Sequence, residues 1–215
     1  MLRTTASVAL ALLIAGALPA QQPTSPLPRA STEKLFLGLA LSGVSIKGDE
    51  EFIDDSETGG GISAQIGYGF TPRFALFAEG SAAALDVEGD DVALAHFDFG
   101  ARFHFTNPSR ALVPYLELAF SGRAVGQDDV VFDDGQGNIE EVDLEVTGTG
   151  ITFGGGVQYF VTPKLAFNAG LKWTVGEFST FKIDNISIDG LEVDATSTRL
   201  TLGLVFYPLT GRGSR

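Results

Sequence analysis

Apolar and polar residues alternate with a period of two along most of this chain. The alternation is clearest from His96 to Phe105, where phenylalanine or alanine at every second position alternates with a histidine, aspartate, glycine or arginine. In an extended strand, successive side chains point to opposite faces, so a period of two places each set on its own face. The pattern therefore predicts β-strands with one oily face and one face of small, polar and charged residues.

The same pattern recurs eight times, and the connections alternate between long acidic stretches and short turns. The short turns carry proline after threonine or asparagine, at Thr71-Pro72, Asn107-Pro108 and Thr162-Pro163. This order predicts an all-β fold, an eight-stranded antiparallel up-and-down barrel, because closure removes the exposed edges of the sheet. The predicted strands are 35–46, 61–70, 74–85, 93–105, 113–124, a hairpin of two strands within 148–175, and 195–207, and the predicted long loops are 47–60, 86–92, 125–147 and 178–194.

The two faces differ in charge, and this difference predicts which of them points outward. The oily face is nearly unbroken leucine, phenylalanine, isoleucine and alanine, whereas single charges lie among glycines on the other face. With about ten residues per strand, this is typical of a transmembrane barrel with an apolar exterior, short periplasmic turns and long external loops. A soluble lipocalin-like barrel is the alternative fold. The predicted membrane girdle consists of Tyr68, Phe70, Phe103, Phe105, Tyr159, Trp173 and Phe206.

The start of the chain has the form of a secretory signal peptide. Arg3 is followed by an apolar run from Val8 to Leu18, and cleavage is predicted after Ala20. A single membrane anchor is the alternative, but the run is too short, because a spanning helix needs about 20 apolar residues. The predicted divisions of the chain are a signal peptide at 1–20, a flexible leader rich in Pro, Ser and Thr at 21–34, the barrel at 35–208 and a short tail at 209–215.

Composition narrows the classes of function. The chain of 215 residues has no cysteine, which excludes disulfides, cysteine-bound metals and a thiol nucleophile. Its formal net charge of −13 disfavours a nucleic-acid partner, because binding to phosphates needs a basic surface. No cofactor is predicted. Most of the aspartate and glutamate residues lie in the predicted loops. Their carboxylates there are either simply solvated or bind divalent cations weakly. The candidate ligands are Asp128, Asp129, Asp133 and Asp134.

Charges of both signs are predicted on the inward face. An eight-stranded barrel has an interior just wide enough for side chains to fill, and buried charges are tolerated only when they are paired. The charges are therefore predicted to form a paired plug in the lumen, and a gated, narrow ion path is the alternative. The predicted network is Glu79, Asp98, Arg102, Glu117, Arg123, Lys172 and Arg199.

Enzymatic activity is a further alternative, resting on the two histidines. His96 lies two residues before Asp98 and His104 two before Thr106, so each pair shares one strand face. Catalysis of this kind needs a nucleophile, a base and an orienting group, and no third group can be assigned to either pair. The sequence therefore predicts that the protein is not an enzyme.

Five stretches of the chain carry a resemblance to a known family: GYGFTPRFALFAEGS, FDFGARFHF, VPYLELAF, GGGVQYFVTPKLAFNAGLKW and TRLTLGLVFYP. Over residues 35–208 the chain resembles the small outer-membrane β-barrels typified by the transmembrane domain of OmpA and by OmpX-like proteins. The resemblance implies the outer membrane of a diderm bacterium, contact with outer-membrane lipid, and insertion by an assembly machinery that reads the last strand. The chain departs from the family pattern because PLTGRGSR follows the aromatic residues of that strand.

These observations predict a structural or interaction protein of the outer membrane. Its role would be membrane integrity, surface contact or adhesion through the long acidic loops. The alternative is a transport barrel, either a narrow ion-conducting pore or a carrier of small hydrophobic molecules. The sequence identifies no external partner.

Overall fold

The alternating segments form eight strands in the computed structural model of the chain, and each strand pairs antiparallel with the next. The last strand pairs with the first, which closes the barrel and confirms the predicted up-and-down architecture. No helix in the ranges described is long and apolar enough to span a membrane. The strands are β1 (Lys34–Gly48), β2 (Glu57–Gly69), β3 (Phe74–Val87), β4 (Asp90–His104), β5 (Leu112–Asp133), β6 (Ile139–Thr162), β7 (Leu165–Ile183) and β8 (Ile186–Phe206). The structure describes residues 31–48, 57–87, 90–105, 111–133, 139–183 and 186–209.

The barrel turns its oily face outward. On β4, Phe97 and Phe99 are 60% and 55% exposed, whereas Asp98 between them is fully buried. On β1, Leu39 and Leu41 are each 71% exposed. A soluble protein does not keep so large a continuous apolar surface in water, so the predicted transmembrane orientation of the faces holds and the lipocalin-like alternative does not.

Two apolar clusters lie inside the barrel, one at each end, and the sequence pattern did not predict them. Inward residues such as Phe36 and Phe77 have outward apolar neighbours on both sides, so the alternation of polarity disappears around them. The turn-end cluster, next to the short turns, is Phe36, Ala75, Phe77, Val113, Ala119, Phe160, Ala166, Val205 and Tyr207. The far-end cluster is Val44, Ile46, Ala83, Leu85, Val92, Leu94, Phe178 and Ala195.

The four C-terminal strands are longer than predicted. They contain 22, 24, 19 and 21 residues, whereas β1 to β4 contain 13 to 15. The predicted loops at 125–147 and 178–194 are therefore wrong over most of their length, since pairing continues to Asp133 opposite Ile139 and to Ile183 opposite Ile186. The loop predicted at 86–92 is also mostly strand, because Val87 pairs with Asp90. Most of the loop predicted at 47–60 lies outside the described residues.

The extended strands are irregular where they continue past the apolar band. Register shifts occur between Gln127 and Val130, between Thr147 and Gly148, and between Phe178 and Thr180. Bulges of this kind insert an extra residue and increase the local twist. Alternation of apolar and polar residues is also lost in these parts of the sequence. The period-two pattern therefore predicts strand ends earlier than those in the structure.

The last residues of the predicted leader lie against the barrel. Thr32 is fully buried, and its hydroxyl donates a hydrogen bond of 2.5 Å to the carbonyl of Pro72. Lys34, the first residue of β1, has a φ of 70°, in the left-handed region that few residues other than glycine adopt. The chain therefore bends as it enters the barrel, and Thr32 lies next to Gly69, the last residue of β2.

Candidate functional site

The predicted lumen charges form one layer between the two apolar clusters. Strands β3, β4, β5, β7 and β8 each contribute at least one of them, because their side chains occupy inward positions of the alternating pattern. All are buried, the most exposed being Glu117 at 6%. The charged layer is Glu79, Asp98, Arg102, Glu117, Arg123, Lys172 and Arg199.

Lys172 occupies the centre of the charged layer. Its Nζ lies 2.9 Å from Glu79 Oε1, 3.1 Å from Glu117 Oε1 and 3.6 Å from Asp98 Oδ2. Glu79 and Asp98 are directly opposite each other on β3 and β4, a placement in which like charges destabilise a sheet. The ammonium of Lys172 offsets this repulsion, so one cation holds three carboxylates from three strands.

Arg102 is paired with Glu117 and enclosed by aromatic rings. The two residues are opposite each other on β4 and β5, and Nη2 of Arg102 lies 2.9 Å from Glu117 Oε2. Nη2 also donates to Gln65 Oε1 at 2.8 Å. The guanidinium carbon lies 4.4 Å from the ring centre of Tyr115 and 5.0 Å from that of Phe77. The planar guanidinium thus combines an ion pair with cation–π contacts at the boundary of the turn-end cluster.

Asp98 joins the charged layer to a row of hydroxyls. It accepts hydrogen bonds from Arg199 Nη2 at 2.8 Å and from the Ser121 hydroxyl at 2.6 Å. The row continues from Ser121 to Thr152 and from Thr152 to Thr174, each at 2.5 Å, across β5, β6 and β7. Sequence reasoning did not identify these hydroxyls, because uncharged residues on an inward face carry no signal of partnership.

Arg123 differs from the other cations of the layer, because no carboxylate among the described residues pairs with it. Its guanidinium donates to the carbonyl of Ala195 at 3.0 Å and, more weakly, to that of Thr149 at 3.5 Å. The guanidinium carbon of Arg123 lies 4.7 Å from the ring centre of Phe178 in the far-end cluster. Carbonyl dipoles and one aromatic ring therefore stabilise this buried charge.

The two histidines are buried and lie apart from each other. His96 Nε2 is 3.0 Å from the Ser197 hydroxyl, a contact across 101 residues that sequence spacing could not indicate. Ser197 is fully buried, one inward position from Ala195 of the far-end cluster. His104 is also fully buried, 6.1 Å from the ring of Tyr115, and its ring nitrogens have no hydrogen-bond partner in the described part of the chain.

The candidate cation ligands fall where side chains are not described. Strand β5 includes Asp128, Asp129 and Asp133, of which only the backbone is described. Asp134 lies outside the described residues. Elsewhere in the described ranges, no group of three or more His, Asp or Glu side chains is arranged to hold a metal ion. Binding of divalent cations at these aspartates stays a prediction.

The predicted girdle residues are all on the outer surface, but at two different heights. Tyr68, Phe70, Phe103, Phe105, Tyr159 and Phe206 lie at the turn end of the barrel and are 44% to 57% exposed. Trp173 lies eight residues into β7 and stacks on Phe153, with 6.0 Å between ring centres. Trp173 therefore belongs to the opposite half of the apolar band.

A closed barrel with an oily exterior and ion pairs inside is a transmembrane β-barrel. Residues 8–206 match the model of the family described as outer membrane protein beta-barrel domain, and the chain belongs to that family. Family and fold together place the protein in the bacterial outer membrane. No curated protein sequence matches the chain.

Solved structures of similar fold are small outer-membrane proteins. Neisserial surface protein A is 16% identical, with a TM-score of 0.59 over 80% of this chain and 96% of that chain. OprG from Pseudomonas aeruginosa is 13% identical, with a TM-score of 0.53 over 83% and 98%. AlkL, solved in DMPC lipid bilayers, is 12% identical, with a TM-score of 0.52 over 92% and 100%. At these identities the likeness shows the fold alone.

Proposed function

We propose that this protein is a non-conducting structural barrel of the outer membrane that presents strand-built acidic hairpins for contact at the cell surface. The observation that supports this proposal most directly is the arrangement of the lumen. The charged layer, in which every member except Arg123 is ion-paired, lies between two apolar clusters, and each cluster occupies one end of the tube. The charged layer acts in this proposal as a plug that holds the strands together.

An ion path through this lumen would carry a large energetic cost. An ion would have to separate Lys172 from the three carboxylates around it, which is costly because buried charges are stable only when they are paired. It would also have to pass Phe36, Phe160 and Tyr207 at the turn end, all of them fully buried or nearly so. These barriers favour the plug over the pore.

The length of β5 to β8 supports a role in surface contact. Residues 130–133 of β5 pair with residues 139–142 of β6 and with no other described strand, so the pairing of β5 with β6 continues beyond the barrel wall. The β5–β6 hairpin and the end of the β7–β8 hairpin are rich in aspartate and glutamate. An external partner of this surface would therefore be basic or would bind through cations.

The signal peptide, with cleavage after Ala20, and recognition of the last strand by the assembly machinery stay predictions.

Planar-bilayer recording of the purified protein tests the plug against the pore. We expect no discrete conductance steps from the native protein. Glu79→Gln, which removes one of the three carboxylates around Lys172, should remain silent as well, since two carboxylates and both apolar clusters persist. The control is Lys47→Gln, which changes an exposed position outside the lumen. The proposal would be overturned, and the pore established, if the native protein gave cation-selective steps that Glu79→Gln abolished and Lys47→Gln kept.

A further inference from the structure

Two of the short turns share a geometry that presents a basic side chain. The Thr71 hydroxyl accepts hydrogen bonds from the N–H of Arg73 at 3.2 Å and from that of the next residue at 3.0 Å. The Thr162 hydroxyl accepts the equivalent bonds from Lys164 and the residue after it, at 3.2 Å and 3.0 Å. In each turn the intervening proline has a fixed φ, so the third residue is held in one backbone position. That residue is basic and exposed in both turns.

A third exposed base connects the two turns. Lys34 Nζ donates to the carbonyl of Leu209 at 3.5 Å, and the backbone two residues before Leu209 donates to the carbonyl of Lys164 at 2.8 Å. On the other side, the buried Thr32 bonds to Pro72, the residue before Arg73. The three bases therefore follow the rim of the barrel from β7 through β8, β1 and β2 to β3. We name Lys34, Arg73 and Lys164 the basic arc.

Aromatic side chains lie directly beside the basic arc on the lipid-facing surface. Tyr68 and Phe70 make an edge contact with 5.1 Å between ring centres, and Phe70 and Phe74 follow at 6.3 Å, next to Arg73. All three rings are between 43% and 57% exposed. Aromatic rings favour the level of lipid headgroups, and long basic side chains extend from that level toward the phosphates.

We propose that the basic arc binds the phosphate groups of anionic phospholipids in the leaflet next to the short turns. Charge complementarity supports this occupant, because the described part of the turn end carries one acidic residue, Glu33, against three exposed bases. The opposite end is acidic, with exposed Glu177 and Asp194 among the described residues. Among the described residues, charge therefore favours anionic lipid at the turn end over the opposite end. This leaflet is the periplasmic one if the barrel has the orientation proposed above. The preference for anionic lipid does not depend on that orientation.

Native mass spectrometry of the purified protein in a neutral detergent tests this site. Phosphatidylglycerol and phosphatidylcholine with the same acyl chains are added in turn, and the fraction of protein that retains lipid is measured. We expect clear retention of phosphatidylglycerol over phosphatidylcholine. Each of Lys34→Gln, Arg73→Gln and Lys164→Gln should reduce that preference by about fivefold, the effect of one basic residue near an anionic surface.

Two controls make the outcome decisive. Lys47→Gln removes one exposed charge at the opposite end of β1 and should keep the preference, whereas Arg73→Lys keeps the charge and should restore most of it. Equal retention of the two lipids by the native protein would overturn the proposal. An equal loss in Lys47→Gln would do so too, since it would reveal a non-specific effect of net charge. Competition by inorganic phosphate at the same concentration as the lipid would reject a lipid site in favour of a simple anion site.

Discussion

At the scale of single residues, the interior is organised by large side chains that lie over glycines. Tyr115 on β5 is opposite Gly156 on β6, which is opposite Gly170 on β7. A methyl group on Gly170 would lie 2.7 Å from the Tyr115 hydroxyl and 3.0 Å from the Thr201 hydroxyl. The tyrosine therefore extends across two neighbouring strands because both lack a side chain there. This explains the glycines at these two inward positions.

Gly170→Ala should accordingly destabilise the barrel by about 1–3 kcal/mol, the usual cost of adding a methyl group to a filled interior. Urea unfolding of the protein refolded into vesicles measures the loss. Gly122→Ala is the matched control, because a methyl group there meets no atom within 4 Å and should change stability little. If the clash with Tyr115 is the cause, adding Tyr115→Ala should make Gly170→Ala less costly than it is alone. Equal costs of Gly170→Ala and Gly122→Ala would contradict this account.

At the scale of strands, the sequence predicted those parts of the fold that lipid selects. Where one face meets lipid and the other the lumen, as from His96 to Phe105, alternation is strict and predicts both strand and orientation. From residue 127 onward the alternation is lost, so the sequence predicts a loop where β5 and β6 in fact continue. The members of the charged layer were predictable because isolated charges on an inward face are conspicuous. Their pairing was not, since contacts such as Lys172 with Glu79 depend on distances across the lumen.

The hairpin beyond residue 127 should be dispensable for the barrel. Among the described residues, 130–133 and 139–142 pair only with each other, so replacing 128–143 with a two-residue Asn-Gly turn removes no described pairing with the barrel wall. We expect the shortened protein to keep its heat-modifiable migration on gels and its urea midpoint within the error of the measurement. Binding to a basic surface partner should be weakened, since only the acidic end of the β7–β8 hairpin remains. Failure of the shortened chain to fold would show that this hairpin contributes to assembly, contrary to its pairing.

At the scale of the whole molecule, the barrel is polarised along its axis. The turn end of the barrel carries the basic arc and most of the aromatic girdle. The long hairpins at the other end are rich in aspartate and glutamate. Between them lies an apolar band that ends near Leu41 on β1 and Val175 on β7. Outer-membrane barrels place their short turns in the periplasm and their longer connections outside. The polarity is thus consistent with short turns in the periplasm and hairpins at the surface.

The absence of cysteine allows this orientation to be measured directly. Thr58, at the hairpin end of β2, and Leu209, beyond the end of β8, are both exposed, so Thr58→Cys and Leu209→Cys each introduce one accessible thiol at opposite ends. A membrane-impermeant maleimide should label Thr58→Cys on intact cells and should label Leu209→Cys only after the cells are lysed. The reverse pattern would invert the barrel and place the basic arc at the cell surface. Labelling of both on intact cells would mean that neither end is shielded by the membrane, which a spanning barrel does not permit.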